Sequence, residues 1–215
     1  MKISILSVIA VIALLSSCKE AEDKAIEPYL RVHPLDLATA PMSPLDSTIS
    51  KKVWEAYKTP GDVHQMLAAD TGTWHEEMTI WTGSKDVNPQ KFSLVAESTM
   101  ILGGRFQQIR HTGKVMGTDF EGIATTGFDN SMGELVATWM DNFGTGIKSV
   151  RGTFKGDPKF FTLRGEMIDP ITKAKKTIRE NFTFIDSDTR KFELFETDDY
   201  NNEYKSMEII MKRNK

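Results

Sequence analysis

Four side chains stand out as able to do chemistry: Arg105, His111, Trp139 and Asp141. Arg105 follows Gly103-Gly104, where a tight turn leads straight into a strand. Pointed into a barrel mouth, its planar fork would grip a carboxylate or phosphate through two parallel hydrogen bonds; held at the turn, it would pair with Asp129 or Asp141 instead. His111 shares a strand face with Arg105, Gln107 and Ile109 and can shuttle a proton or act as a ligand. Trp139 and Asp141 lie two apart, on the face that also carries Leu135 and Ala137. A carboxyl beside an indole on an apolar face is a place for a raised pKa, hence a candidate acid or base. Asp141 also precedes Asn142-Phe143-Gly144, and there it would cap the turn.

Around these residues much chemistry is missing. His33, His64, His75 and His111 have no ligand spacing, so neither a metal nor any other cofactor is expected. There is no Gly-x-Ser-x-Gly elbow and no phosphate-binding glycine loop before a helix. The single cysteine, Cys18, excludes an intramolecular disulfide and leaves no catalytic cysteine in the domain. With 27 Lys+Arg spread among 30 Asp+Glu and a formal charge of −3, the chain lacks the cationic stripe of a nucleic-acid binder.

Cys18 has a context of its own. Twelve of the first fifteen residues are hydrophobic, and Leu15-Ser16-Ser17-Cys18 closes the run. About a dozen apolar residues are too few for a transmembrane helix, which needs ~20, but suit a signal-peptide core. Leu, two small residues and Cys resemble the bacterial lipobox, which implies cleavage before Cys18 and its acylation. Residues 1–17 are then the signal peptide, and acyl chains tether the protein to a membrane surface of the bacterial cell envelope. Lys19-Glu20-Ala21-Glu22-Asp23-Lys24 is either a solvated spacer or a signal for the outer cell surface. Pro28, Pro34, Pro41 and Pro44 make residues 18–50 a tether.

The domain that must position the candidate residues spans 51–215. Ser50 is placed to cap a helix through Lys58 whose apolar face is Val53, Trp54 and Tyr57. Thr59-Pro60-Gly61-Asp62 reads as a second helix start, with Thr59 as N-cap and Val63, Met66 and Leu67 facing inward. His64 is expected at the surface or the edge of the core. From Thr73 onward, turn residues recur every 8–14 positions between segments of period-two alternation. About ten strands of this kind predict a mostly β protein: an antiparallel up-and-down meander closed into a barrel, because so many strands left flat would expose long edges. Arg151, Arg164, Arg179 and Glu180 are expected mainly in surface cross-strand pairs, with Arg179 and Glu180 on opposite faces.

Two resemblances follow from these residues. Gly72-Thr73-Trp74 after a short helix resembles the Gly-x-Trp opening of lipocalin-like (calycin) barrels, which implies a cation from the last strand over Trp74, here Arg213. Gly103-Gly104-Arg105-Phe106, Gly122 with Gly127-Phe128-Asp129, and Trp139-Met140-Asp141 resemble, in order, a bacterial domain-of-unknown-function family, number 1579, over roughly residues 60–213. Phe128 stands where the family more often has Tyr. This resemblance implies a fold and no activity.

Three functional readings follow. In the first, a membrane-tethered barrel binds or carries a small amphipathic or lipid ligand, with Arg105, His111, Trp139 or Asp141 at the polar end. In the second, an envelope hydrolase or isomerase uses Asp141 or His111 as base and Arg105 to hold an anion, which requires these groups to converge. In the third, the outer surface serves envelope assembly or interaction.

Overall fold

The computed structural model describes residues 47–81, 88–198 and 202–214. The leader, Cys18 and most of the tether lie outside the described residues. Helices α1 (Ser47–Lys58) and α2 (Asp62–Ala68) precede strands β1 (Gly72–Ile80), β2 (Gln90–Ile101), β3 (Phe106–Val115), β4 (Thr118–Asp129) and β5 (Glu134–Asp141). Then come β6 (Lys148–Thr153), β7 (Phe160–Ile168), β8 (Lys175–Phe184), β9 (Thr189–Thr197) and β10 (Glu203–Arg213). Each strand pairs antiparallel with the next, and β10 returns to β1 with Trp74 opposite Arg213, so the meander closes as the short, regular turns predict. Closure removes the open edges that a flat sheet of this size would display.

Both helix starts differ from expectation. No proline falls between Pro44 and Pro60, so nothing blocks the helix one turn earlier, and α1 begins at Ser47 rather than after Ser50. Thr59 does not cap α2: its hydroxyl donates back to the Glu55 carbonyl of α1 at 2.6 Å. Gly61 takes the N-cap position, and its N–H donates to Nδ1 of His64, three residues on, at 3.0 Å. His64 is accordingly buried, 5% exposed, and not at the surface.

Two apolar clusters fill much of the barrel. From α2, Leu67 reaches in to Leu135, Ala137, Val150, Phe161, Leu163, Ile178 and Leu194. Met78, Leu94, Val115 and Ile209 form the second cluster. We call the end where α2 enters β1 the helix end; the turns at 102–105, 130–133 and 185–188 lie there. Those at 116–117, 142–147 and 169–174 lie at the opposite, far end.

Candidate functional site

The alternation of β1 turns Trp74, Glu76 and Met78 inward. Glu76 is therefore carried into the barrel, where its side chain has no exposure. Across β2, His111 faces the same interior, and its Nδ1 lies 2.9 and 3.1 Å from the two Glu76 oxygens. Gly122 on β4 and Trp139 on β5 complete the arrangement. A Cβ at Gly122 would sit 2.5 Å from the Trp139 ring, so the missing side chain is what lets the indole lie across β4. The indole then meets His111 with ring centroids 5.1 Å apart. Beyond it, Lys148 of β6 stands 5.8 Å from the indole and forms an ion pair with the buried Glu180 of β8. One tryptophan is thus bracketed by two hydrogen-bonded acid–base pairs in the interior.

Glu180 corrects the expectation of surface pairing: Ile178 and Glu180 are buried on one face of β8, while Arg179 on the other meets Glu203 at 2.6 Å. Asp141 is committed locally. Its Oδ2 accepts from Trp139 Nε1 at 2.6 Å, and its Oδ1 accepts from the N–H groups of Phe143 and Gly144 at 2.9 and 3.1 Å. It caps the turn and locks the indole. Phe120 stacks on Trp139, and Phe143 packs edge-on against Phe120. Phe192, Met207 and Met211 also pack on the inward cluster yet are only half-buried, although their neighbours Leu194 and Ile209 are buried.

The helix end uses its charges differently. Trp74 lies between two guanidinium groups, with Arg213 at 4.2 Å and Arg190 at 5.2 Å from its ring. Its Nε1 donates to the Asp70 carbonyl at 2.8 Å. Arg213 donates to the carbonyls of Thr71 and Ala69 at 2.7 Å each, Gln107 to that of Leu67 at 2.9 Å, and Arg190 to the Asp70 carboxylate at 2.8 Å. Arg213 and Gln107 thereby satisfy carbonyls left open where α2 ends. Burial pushes the Asp70 carboxyl above its ordinary range despite the opposing pull of Arg190. Gly72, at φ +131°, passes beneath Arg213, whose Nη1 lies 3.1 Å from where a Cβ would stand.

Arg105 also belongs to this end, and the barrel-mouth reading of it is corrected. Leu102, Gly103 and Gly104 have φ of 50°, 69° and 80°, a left-handed run that folds the turn back on itself. Arg105 then donates to the Lys58 carbonyl of α1 at 2.7 Å and to the Leu102 carbonyl at 3.2 Å, touching neither Asp129 nor Asp141 by hydrogen bond. Asp129 Oδ1 instead accepts from the Ser131 N–H at 2.8 Å and its hydroxyl at 2.6 Å, shaping the turn that presents Asn130. Asn130 Nδ2 donates to the carbonyls of Ala56, Tyr57 and Thr59 at 3.0, 3.1 and 2.8 Å. Phe106 covers Gly127, and Phe128 meets His64 edge-on at 6.0 Å. A groove of about 380 Å³, lined by Tyr57, Pro60, His64, Arg105, Phe106 and Val136 among others, runs between the helix junction and the outer wall.

The structure thus brings His111, Trp139 and Asp141 to one part of the barrel and puts Arg105 in another. Arg105 lies in the helix-end turn before β3 and donates to α1, while His111 lies six positions on inside the barrel, about 20 Å along the strand at ~3.3 Å per residue, so the convergence that the hydrolase or isomerase reading requires is missing. Among the described residues no group of three or more His, Cys, Asp or Glu is placed to hold a metal ion. Sequence reasoning missed Glu76, Lys148 and Glu180. Glu76 had a usable signal, since it alternates with Trp74 and Met78.

A family model described as "Protein of unknown function (DUF1579)" matches residues 59–213. Among solved structures, Rv2717c from M. tuberculosis is similar at 11% identity, with 73% of this chain and 100% of that chain covered and a TM-score of 0.52, a likeness of fold. A redesigned β-barrel matches at 12% identity over 70% of this chain and 96% of its own, TM-score 0.37. EF1p2_mFAP2b bound to DFHBI matches at 9% identity over 71% and 100%, TM-score 0.41. No curated protein matches the chain.

Proposed function

The chain belongs to the DUF1579 family, and because that family's description assigns no activity we propose a function from the barrel itself: it binds a small amphipathic molecule in the far half of its interior. The observation that carries this reading is the pair of buried acid–base contacts, Glu76–His111 and Lys148–Glu180, on either side of Trp139. Removing polar and charged groups from water is costly, their mutual attraction returns only part of the cost, and apolar side chains of similar size would stabilise the barrel at least as well. The presence of both pairs in the interior suits recognition of a polar head group by His111 and Lys148. The half-buried Phe120 and Met207 suit its apolar part.

Native mass spectrometry of the protein purified from its own envelope tests the reading. The expected result is a retained small molecule of defined mass, displaced by the anionic dye 1-anilinonaphthalene-8-sulfonate with saturable one-to-one binding and reduced at least tenfold in affinity by Trp139→Ala. Protein that retains nothing and binds the dye without saturation overturns it.

The leader and the Leu-Ser-Ser-Cys motif support a lipid-anchored form of this binder, held at the bacterial envelope through acylated Cys18. Mass analysis of the N-terminal peptide is expected to show cleavage before Cys18 and added acyl chains. An unmodified peptide, or unchanged membrane association after Cys18→Ala, removes the anchor from the proposal.

A further inference from the structure

Helix α1 contributes nothing to the core. Every side chain from Lys51 to Thr59 is exposed, and Val53, Trp54 and Tyr57 are 60%, 62% and 46% exposed. On a helix of 3.6 residues per turn these three share one side, with the Trp54 and Tyr57 rings 5.5 Å apart. Lys51, Lys52, Glu55 and Lys58 occupy the other side, with Glu55 and Lys58 paired at 2.9 Å. What the barrel holds is α1's backbone end: Arg105 takes the carbonyl of Lys58, and Asn130 takes those of Ala56, Tyr57 and Thr59. An isolated helix of about this length is marginal in water, and an apolar face presented end-on in this way buries little surface to support it.

The charge of the helix selects what covers that face. Between Lys51 and Lys58 there are three lysines and one glutamate, on a chain whose formal charge is −3. A basic helix on an acidic protein, with Trp and Tyr on its apolar side, has the composition of an interfacial helix. Twenty-eight residues separate Cys18 from Ser47, and at ~3.5 Å each they allow α1 to lie anywhere up to about 100 Å from an acylated Cys18.

We propose that α1 is an interfacial helix that lays Val53, Trp54 and Tyr57 into an anionic lipid surface, with Lys51, Lys52 and Lys58 meeting head-group phosphates. The proposal rests on the lipid-anchor reading only for bringing that surface near. Through the carbonyl clamps of Arg105 and Asn130, a seated α1 would fix the helix end of the barrel toward the membrane and leave the far end pointing away.

The test uses the full chain in its own envelope, with a benzophenone photo-crosslinking residue at position 54 and, as control, at position 112 on the exposed outer wall. Phospholipid adducts at position 54, at least about fivefold above position 112, are expected, and Lys51→Glu with Lys52→Glu should lower them by about threefold or more through lost attraction to anionic lipid. Adducts at position 54 to protein only, a second copy included, or phospholipid adducts no more frequent than at position 112, overturn the proposal. The N-terminal peptide mass is read from the same samples. An unacylated chain with lipid adducts at position 54 keeps this proposal and discards the anchor; an acylated chain without them does the reverse.

Discussion

The helix end and the far half of the barrel contain similar residues in opposite arrangements. At the helix end, Arg105, Arg190, Arg213, Gln107 and Asn130 are aimed at backbone carbonyls of the two helices, of the residues that follow them and of the adjoining turns, and the aromatic beneath Arg190 and Arg213, Trp74, is a floor. In the far half, Lys148, His111, Glu76 and Glu180 are paired with one another around Trp139, inside the wall. Folding alone accounts for the first set, because helix ends leave carbonyls that must find donors. It does not account for the second, since a barrel closes equally well over apolar side chains.

The largest effect expected is at the helix end. Trp74, 1% exposed, is clasped by two guanidinium groups, so Trp74→Ala should cost about 3–5 kcal/mol in urea unfolding through the cavity it leaves. Dye affinity per folded molecule should stay within about threefold of wild type. A Trp74→Ala protein that is stable yet unable to bind would move the ligand site to the floor and break the comparison.

Next comes the Lys148–Glu180 pair. Lys148→Met alone leaves Glu180, 3% exposed, without its partner and should cost about 3 kcal/mol. Lys148→Met with Glu180→Leu replaces both charges and should return to within about 1 kcal/mol of wild type. Ligand or dye affinity should be lost in the double variant all the same. A double variant that is stable and still binds would show that the charged belt has no part in recognition.

Two glycines separate the regions more finely. Gly122→Ala drives a methyl into the Trp139 ring, and overpacking of this kind costs about 1–3 kcal/mol. It should also weaken binding, because the indole must leave His111. Gly104, at φ +80° with open space where a methyl would stand, is strained only by conformation. Gly104→Ala should cost about 1–2 kcal/mol and leave affinity unchanged. Equal loss of binding in both variants would contradict the division.

The legibility of the sequence follows the same division. Strand count, order and closure were readable because alternation and turn residues act locally, and Asp141 was readable as a turn cap because the N–H groups it accepts from lie two and three residues on. Arg105 was not readable. Its partner is a backbone carbonyl 47 residues away, and a carbonyl leaves no mark on residue type. Glu180 was misjudged for a different reason: alternation puts Arg179 and Glu180 on opposite faces, but only the closed barrel decides which face is inside. Motif residues that resemble a family therefore do not share one task. Gly103, Gly104, Arg105 and Asp129 shape the helix clamp, while Gly122, Trp139 and Asp141 shape the interior belt.

The smallest effect expected is a pH dependence confined to the helix end. His64 Nδ1 accepts the Gly61 N–H, so the helix start needs the neutral imidazole. Burial holds the His64 pKa below its ordinary value of 6.5, reinforced by the nearby Arg105 charge and opposed by a hydrogen bond to the Phe128 backbone. The folded protein thus takes up this proton less readily than the unfolded chain. The stabilisation is complete above pH 6.5 and is lost as pH falls from there through the lowered folded-state value. Its size is that of a helix cap, up to about 1 kcal/mol. Gln at the third helical position accepts the same N–H without titrating, so His64→Gln should flatten the wild-type decline in urea midpoint between pH 7 and 5 while matching wild type at pH 7. If the decline persists in the variant, the titrating group lies elsewhere and the cap reading of His64 falls.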